Sequence, residues 1–273
     1  MALLLSLLNF LQPMSVFLPE SLASGSAKGR SMNKLYIIKV GTTYSTTAKE
    51  FGDFDVWTVA ALGDVDAEIC IVDAEHGAAL PNAGKCAGVV ITGSHAMVTD
   101  DLPWSVKIEK WIPSLLDAST PLFGICYGHQ MIARAAGGQV GFHPRGKEIG
   151  TVAIDLLSDC ANDTLFRSLP RSFVVHVAHS QAVLHLPPHA TRLAANAYES
   201  NHAFRLGDSA WGVQFHPEYN ADIMRSYINE QGEELKSAGM NVSELLSAVS
   251  ETPVAGGLLR NFARIVEERL ADR

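Results

Sequence analysis

A chain of 273 residues, 47% hydrophobic and 18% charged, is long enough to bury one α/β core with at most a small appendage. Its formal net charge of −8, without a Lys/Arg cluster, argues against nonspecific binding to nucleic acid. Cys70, Cys86, Cys126 and Cys160 are widely spaced and form no Cys-x-x-Cys pair, so a disulfide scaffold is not expected and a reduced, cytoplasmic setting is.

The leading residues read apart from the rest. Residues 3–18 are apolar but broken by Asn9, Gln12 and Pro13, and no basic residue precedes them as a signal peptide would require. The run is too short and too interrupted to span a bilayer, so no membrane partner is expected. Residues 21–31 are small and polar, and Met32 reads as the natural start of the folded protein. Residues 1–31 are then a disordered extension or a mis-called start, with an export signal as the alternative. Residues 32–273 form one domain with C-terminal helices.

Residues 35–40 predict a first strand, closed by Gly41, and 46–51 a helical or irregular segment leading to Trp57. Residues 67–73 and 88–93 are further strands, the latter ending in Gly93-Ser94-His95. Over 104–116, Val106, Ile108, Trp111, Ile112 and Leu115 recur at helical spacing, with Asp100-Asp101 as the candidate cap. Residues 122–125 are a short apolar run of the kind buried in parallel sheets. From Tyr127 the spacing turns helical, with Met131, Ile132 and Ala135 on one face and Gly137-Gly138 as the stop. This rhythm predicts an α/β fold: an open, mostly parallel sheet with helices on both faces and ligands at its C-terminal edge. After Gly150 short strand-like runs at 151–157, 172–178, 182–186, 191–194, 203–206 and 210–215 predict a small antiparallel extension that returns His216 to Cys126. A helical stretch at 223–235, a polar interruption and an amphipathic helix at 258–270 complete the chain.

Cys126 lies where a strand end meets a helix N-terminus, with Gly124 and Gly128 two residues away on either side. Gly-x-Cys-x-Gly is the cysteine counterpart of the nucleophile elbow, whose sharp turn leaves no room for larger flanking side chains. The helix N-terminus favours a thiolate over a thiol. A free cysteine at a strand end is more often a small core residue, and the paired glycines reverse that weighting. A second stretch, Gly212-Val213-Gln214-Phe215-His216-Pro217-Glu218, supplies an imidazole and a carboxylate. In an extended segment positions i and i+2 point the same way, so Glu218 can orient His216, and Pro217 stiffens the link.

Together, Gly124-Ile125-Cys126-Tyr127-Gly128-His129-Gln130 and Gln214-Phe215-His216-Pro217-Glu218 resemble the class I (triad) glutamine amidotransferases, most of all stand-alone relatives of the GMP synthetase glutaminase domain, over residues 35–227. The resemblance implies a flavodoxin-like fold and release of ammonia from the glutamine side chain through a γ-glutamyl thioester. It makes Cys126 the nucleophile, His216 the base and then the acid, and Glu218 the orienting group. It assigns the oxyanion donors to the backbone of Tyr127 and of the Gly93-Ser94 turn. The family motif at that turn is Gly-Gly-Pro, so Ser94 keeps the donor only if its dihedral suits a residue with a Cβ. Gln130, His179 and Ser180 match substrate-binding positions. No cofactor is implied, and no phosphate loop is present. His176 and His179, and His185 and His189, have spacings that would suit metal ligands on a helix, but the surrounding segments read as strands, so no metal is expected.

Three function classes follow. One is a glutaminase passing ammonia to a separate subunit with synthetase activity. Another is a free-standing hydrolase or transpeptidase of γ-glutamyl amides or peptides, and the third is a catalytically idle relative. The intact triad argues against the third. The motifs set the coupled form slightly ahead; its expected mark is an apolar partner-facing surface around the Gly93 turn and the Cys126 helix.

Overall fold

The structure, a computed structural model, describes residues 34–272; the expectation for residues 1–31 lies outside them. The chain opens with β1 (Lys34–Lys39), α1 (Ser45–Phe51), α2 (Phe54–Leu62), β2 (Glu68–Asp73), β3 (Cys86–Ile91), α3 (Pro103–Asp117), β4 (Leu122–Ile125) and α4 (Tyr127–Ala135). Seven strands follow: β5 (Gln139–Phe142), β6 (Glu148–Leu156), β7 (Ser172–His179), β8 (Gln181–His185), β9 (Ala190–Ala195), β10 (Ala203–Leu206) and β11 (Ala210–Val213). The tail is helical: α5 (Ala221–Glu230), α6 (Gly232–Ser237), α7 (Val242–Ala248), α8 (Pro253–Gly256) and α9 (Leu258–Ala271).

The main sheet runs β2-β1-β3-β4-β11-β10-β9-β6-β7, and β5 pairs with β8 in a second, two-stranded antiparallel sheet. Pairing is parallel from β2 across to β11 and antiparallel from β11 to β7. This is the α/β architecture expected, and the antiparallel strands β10, β9, β6 and β7 continue the same sheet. Period-2 alternation explains why both faces are covered. Leu35, Ile37, Val90, Phe123 and Ile125 face α9 through Leu259, Phe262 and Val266. Their neighbours Ile38, Val89, Ile91 and Leu122 face α3 and α4 through Ile108, Ile112, Met131 and Ile132. A third cluster, built on Phe54, Trp57, Tyr219, Met224 and Tyr227, packs the helices beside His216. Among the described residues no helix is long and apolar enough to cross a membrane.

Three local features differ from the sequence reading. The start of α3 carries no carboxylate cap: Leu102 is its N-cap and Pro103 takes the first helical position, where a missing N–H costs nothing. Asp101 instead sits at φ 51° and accepts from Arg134 Nη1 at 2.9 Å. The polar interruption of the tail contains α7, whose N-cap Asn241 accepts from the N–H groups of Ser243 and Glu244. The strand β5 went unread. It is four residues long, contains Gly141, and pairs with β8 alone among the described residues.

Candidate active site

Strand register assembles the site. β11 lies parallel to β4 with Val213 opposite Ile125, so one residue further Gln214 comes level with Cys126. The Cys126 N–H bonds to the Val213 carbonyl at 2.8 Å, which locks that register at the elbow. Cys126 has φ 49° and ψ −92°, outside the ordinary left-handed well, a conformation that costs about 1–3 kcal/mol. The flanking glycines are needed for the reason expected. A Cβ on Gly124 would lie 2.5 Å from the Gly128 carbonyl carbon, and one on Gly128 would run into the Ile91 carbonyl oxygen.

His216 donates from Nδ1 to Glu218 Oε1 at 2.7 Å, leaving Nε2 for the sulfur. Both side chains are almost fully buried. The imidazole stacks on Tyr219, ring centroids 4.0 Å apart, and lies parallel to Phe54 at 6.5 Å. Burial works against a charged ring. The Glu218 carboxylate, then the charge of Cys126 and hydrogen bonds to both, overcome it and raise His216 to about 10. The structure thus places His216 against both Glu218 and Cys126.

Around them, Tyr127 is the first residue of α4, where an N–H has no intrahelical acceptor. Ser94 lines the same cavity as Cys126 and Tyr127 and is not among the described residues with positive φ, so its backbone suits a Cβ. Gly93 answers to a different constraint: a Cβ there would meet His216 Cε1 at 2.9 Å. The cavity holds about 90 Å³ beside Cys126, and Gln130, His179 and Ser180 line it too.

His179 and Gln130 do more than face the cavity. The His179 Nδ1–H donates to the Gln181 carbonyl at 3.0 Å, and its Nε2 lies 3.0 Å from Glu148 Oε2. Glu148 is held below the usual carboxylate range: burial raises it, but the hydrogen bond to His179, the charge of His202 and the Asn196 amide outweigh that. His176 points elsewhere, with Nδ1 3.1 Å from Thr151 Oγ1, so the two histidines share no face of β7. Gln130 Nε2 donates to the Gln181 carbonyl at 2.8 Å and to Gln214 Oε1 at 3.0 Å, while Gln214 Nε2 reaches Cys126 Sγ at 3.4 Å.

Sequence reasoning passed over the remaining wall. Tyr44, His95 and Tyr227 form an aromatic group, with Tyr44 and His95 rings 4.3 Å apart and His95 Nε2 3.1 Å from the Tyr227 hydroxyl. Lys147 Nζ, also on the cavity, donates to Gln231 Oε1 and Glu234 Oε1, each at 2.6 Å. The spacing of Tyr227 and Gln231, four apart at the end of a helix, was the one available signal.

With this geometry in hand, comparison with known proteins is specific. The family model for glutamine amidotransferase class-I matches residues 50–232. γ-Glutamyl peptidase 4 of Arabidopsis thaliana is 31% identical over 202 residues, 72% of this chain and 80% of that one. Other γ-glutamyl peptidases of that plant match over 59% of their length. A glutamine-hydrolyzing GMP synthase subunit of Pyrococcus abyssi is 35% identical over 155 residues, 54% of this chain and 77% of that one. A glutamine amidotransferase crystal structure from Thermotoga maritima superposes with a TM-score of 0.68 at 26% identity, covering 86% of this chain and 99% of that one.

Proposed function

We infer the reaction from one premise, that this chain belongs to the class I glutamine amidotransferase family, and from the cavity beside Cys126. The reading is a free-standing thiol hydrolase of γ-glutamyl compounds. His216 takes the Cys126 proton and the thiolate attacks the γ-carbonyl, with the oxyanion directed at the N–H groups of Tyr127 and Ser94. The C–N bond breaks as His216 passes its proton to the departing nitrogen, leaving a γ-glutamyl thioester on Sγ. Water then attacks the thioester with His216 as base; the proton returns to sulfur and glutamate departs. Glu218 holds the ring in the productive tautomer and stabilises its charged form. Ser180 and the neighbouring backbone receive the amino-acid end of the substrate.

The observation that carries this reading over ammonia donation is the group Tyr44, His95, Tyr227, Lys147 and Gln231 on the cavity wall. It offers aromatic surface and an ammonium to a leaving group larger than ammonia. Among the described residues the exposed large apolar side chains are Val56, Ile71, Phe142 and Val174, none on α4 or the Gly93 turn, where Ala96 and Met97 are half-buried. Similarity to γ-glutamyl peptidase 4 supports the same choice. The second reading, a glutaminase serving a separate synthetase, is favoured by the similarity to the Pyrococcus GMP synthase protein.

The test is turnover by the purified protein alone against glutamine, γ-glutamyl alkyl amides and γ-glutamyl dipeptides. Dipeptides are expected to react well and glutamine poorly. Weak glutamine turnover that rises sharply with an added cell-extract fraction, with dipeptides inert, refutes the hydrolase and restores the coupled glutaminase.

A further inference from the structure

A nucleophilic sulfur needs a partner for its charge as well as a base for its proton, and Gln214 occupies the partner's position. It is fully buried, its N–H is fixed to the His202 carbonyl at 2.8 Å, and its side chain, like that of His216, faces Cys126. Its amide lies between Gln130 and Cys126 Sγ.

An amide can present either oxygen or nitrogen to a neighbour, and here the network decides which. The far end of the network is the backbone carbonyl of Gln181, which can only accept. Gln130 must therefore turn its NH2 group toward it. The second hydrogen of that NH2 then points at Gln214, which must answer with its oxygen. That leaves the Gln214 nitrogen, a donor, against sulfur at 3.4 Å. The His179 Nδ1–H donates to the same Gln181 carbonyl, and His179 is in turn held against Glu148, so the carbonyl is fixed from behind. The polarity of each link follows from a group that has no choice.

We propose that Gln214 is a catalytic residue that donates a hydrogen bond to the Cys126 thiolate, and that Gln130 is the positioning residue that fixes the direction of the Gln214 amide. The donor favours the charged form of sulfur over the thiol, because only the thiolate is a strong acceptor. It also holds sulfur on the β11 side, with a lone pair free for the carbonyl carbon. Gln130, matched by family resemblance to substrate binding, has both amide hydrogens committed inside the protein. The proposal rests on Cys126 being the nucleophile of the reaction above, but not on what the leaving group is.

Alkylation of Cys126 by iodoacetamide, followed across pH by peptide mass spectrometry, tests this without any substrate. Burial holds the Cys86 and Cys160 thiols up at about 11 and also raises Cys70, so the neutral and acidic range reports on Cys126. A hydrogen bond to a charged group corresponds to roughly tenfold or more in the thiolate fraction, so Gln214→Leu should move the alkylation profile upward by about one pH unit. Gln130→Met, which leaves the Gln214 amide free to turn, should move it the same way by less, and serves alone if Gln214→Leu does not fold. An unmoved or downward-moved profile in either folded variant overturns the proposal. So does a Gln130→Met protein whose KM rises while its alkylation profile stays in place, which would return Gln130 to substrate contact. Should the dipeptide assay fail while the alkylation profile moves as expected, the substrate class is wrong and the sulfur contact stands.

Discussion

The elbow glycines make a demanding prediction, because at Gly128 two effects oppose each other. Gly128 is the second residue of α4, and replacing glycine by alanine in a helix gains about 1 kcal/mol from propensity alone. Against that, the new Cβ would overlap the Ile91 carbonyl oxygen and come within 2.9 Å of Ile91 Cβ. Neither is the loose end of a flexible side chain; both belong to the buried end of β3. Overpacking of this kind costs about 1–3 kcal/mol, and contact with backbone belongs at the upper end, so a net loss of about 2 kcal/mol is expected. For a domain of this size that is a fall of about 4–8 °C in Tm. Activity should suffer more than stability. Ile91 is two residues before Gly93, and moving the end of β3 moves the Ser94 turn relative to Cys126, where misplacement by about 1 Å costs about a hundredfold. Calorimetry and hydrolysis of a γ-glutamyl dipeptide measure the two effects. Gly232→Ala is the matched control, since nothing lies within 4 Å of the Cβ it would add. A Gly128→Ala protein as stable and active as the Gly232→Ala one would refute the argument that the elbow excludes a Cβ.

Cys126→Ala should abolish hydrolysis while leaving Tm and circular dichroism unchanged, and residual turnover at the parent rate would end the assignment. His216→Ala should lose about 10²–10⁴ in kcat and Glu218→Gln less, because an orienting group assists the proton transfer without carrying it; the reverse order would give Glu218 a different part. Burial lowers His129 to about 3 and His176 and His202 to about 4, in the last case against the attraction of Glu148. Unfolded imidazoles take up protons below about 6.5, so the unfolded chain binds more protons from there down to pH 4. These three histidines should cost stability as pH drops from about 6.5 toward 4, while His216, raised to about 10, should cost stability as pH climbs from 6.5 toward 10; a Tm that is flat between pH 7.5 and 4.5 contradicts this.

What the sequence disclosed was local or periodic. The β4–Cys126–α4 elbow needs only adjacent residues, and β4 begins and ends where its apolar run does. β10 was equally plain, spanning residues 203–206 as expected. The wall of Tyr44, His95, Tyr227 and Lys147 was not legible, because its members come from four separate segments that meet only in the fold. Gln214 was visible as part of a motif but not as a contact of sulfur, since that depends on the parallel register of β11 against β4. α7 carried a signal that went unused: Asn241 and Glu244 form a reciprocal cap, with Asn241 Nδ2 donating to Glu244 Oε1 at 2.8 Å.

The way β11 reaches β4 also governs when the chain becomes reactive. Cys126, the proposed nucleophile, lies in the parallel half of the sheet, whereas His216 comes 90 residues later in the chain, counted from Cys126. Its backbone N–H is tied to the His176 carbonyl on β7, and Gln214 to that of His202 before β11. Base and thiolate partner are therefore installed only once the antiparallel strands have closed onto the sheet. On the proposed mechanism, a chain opened at its antiparallel edge would carry Cys126 without the groups that activate it, and chemistry would wait for the last strand.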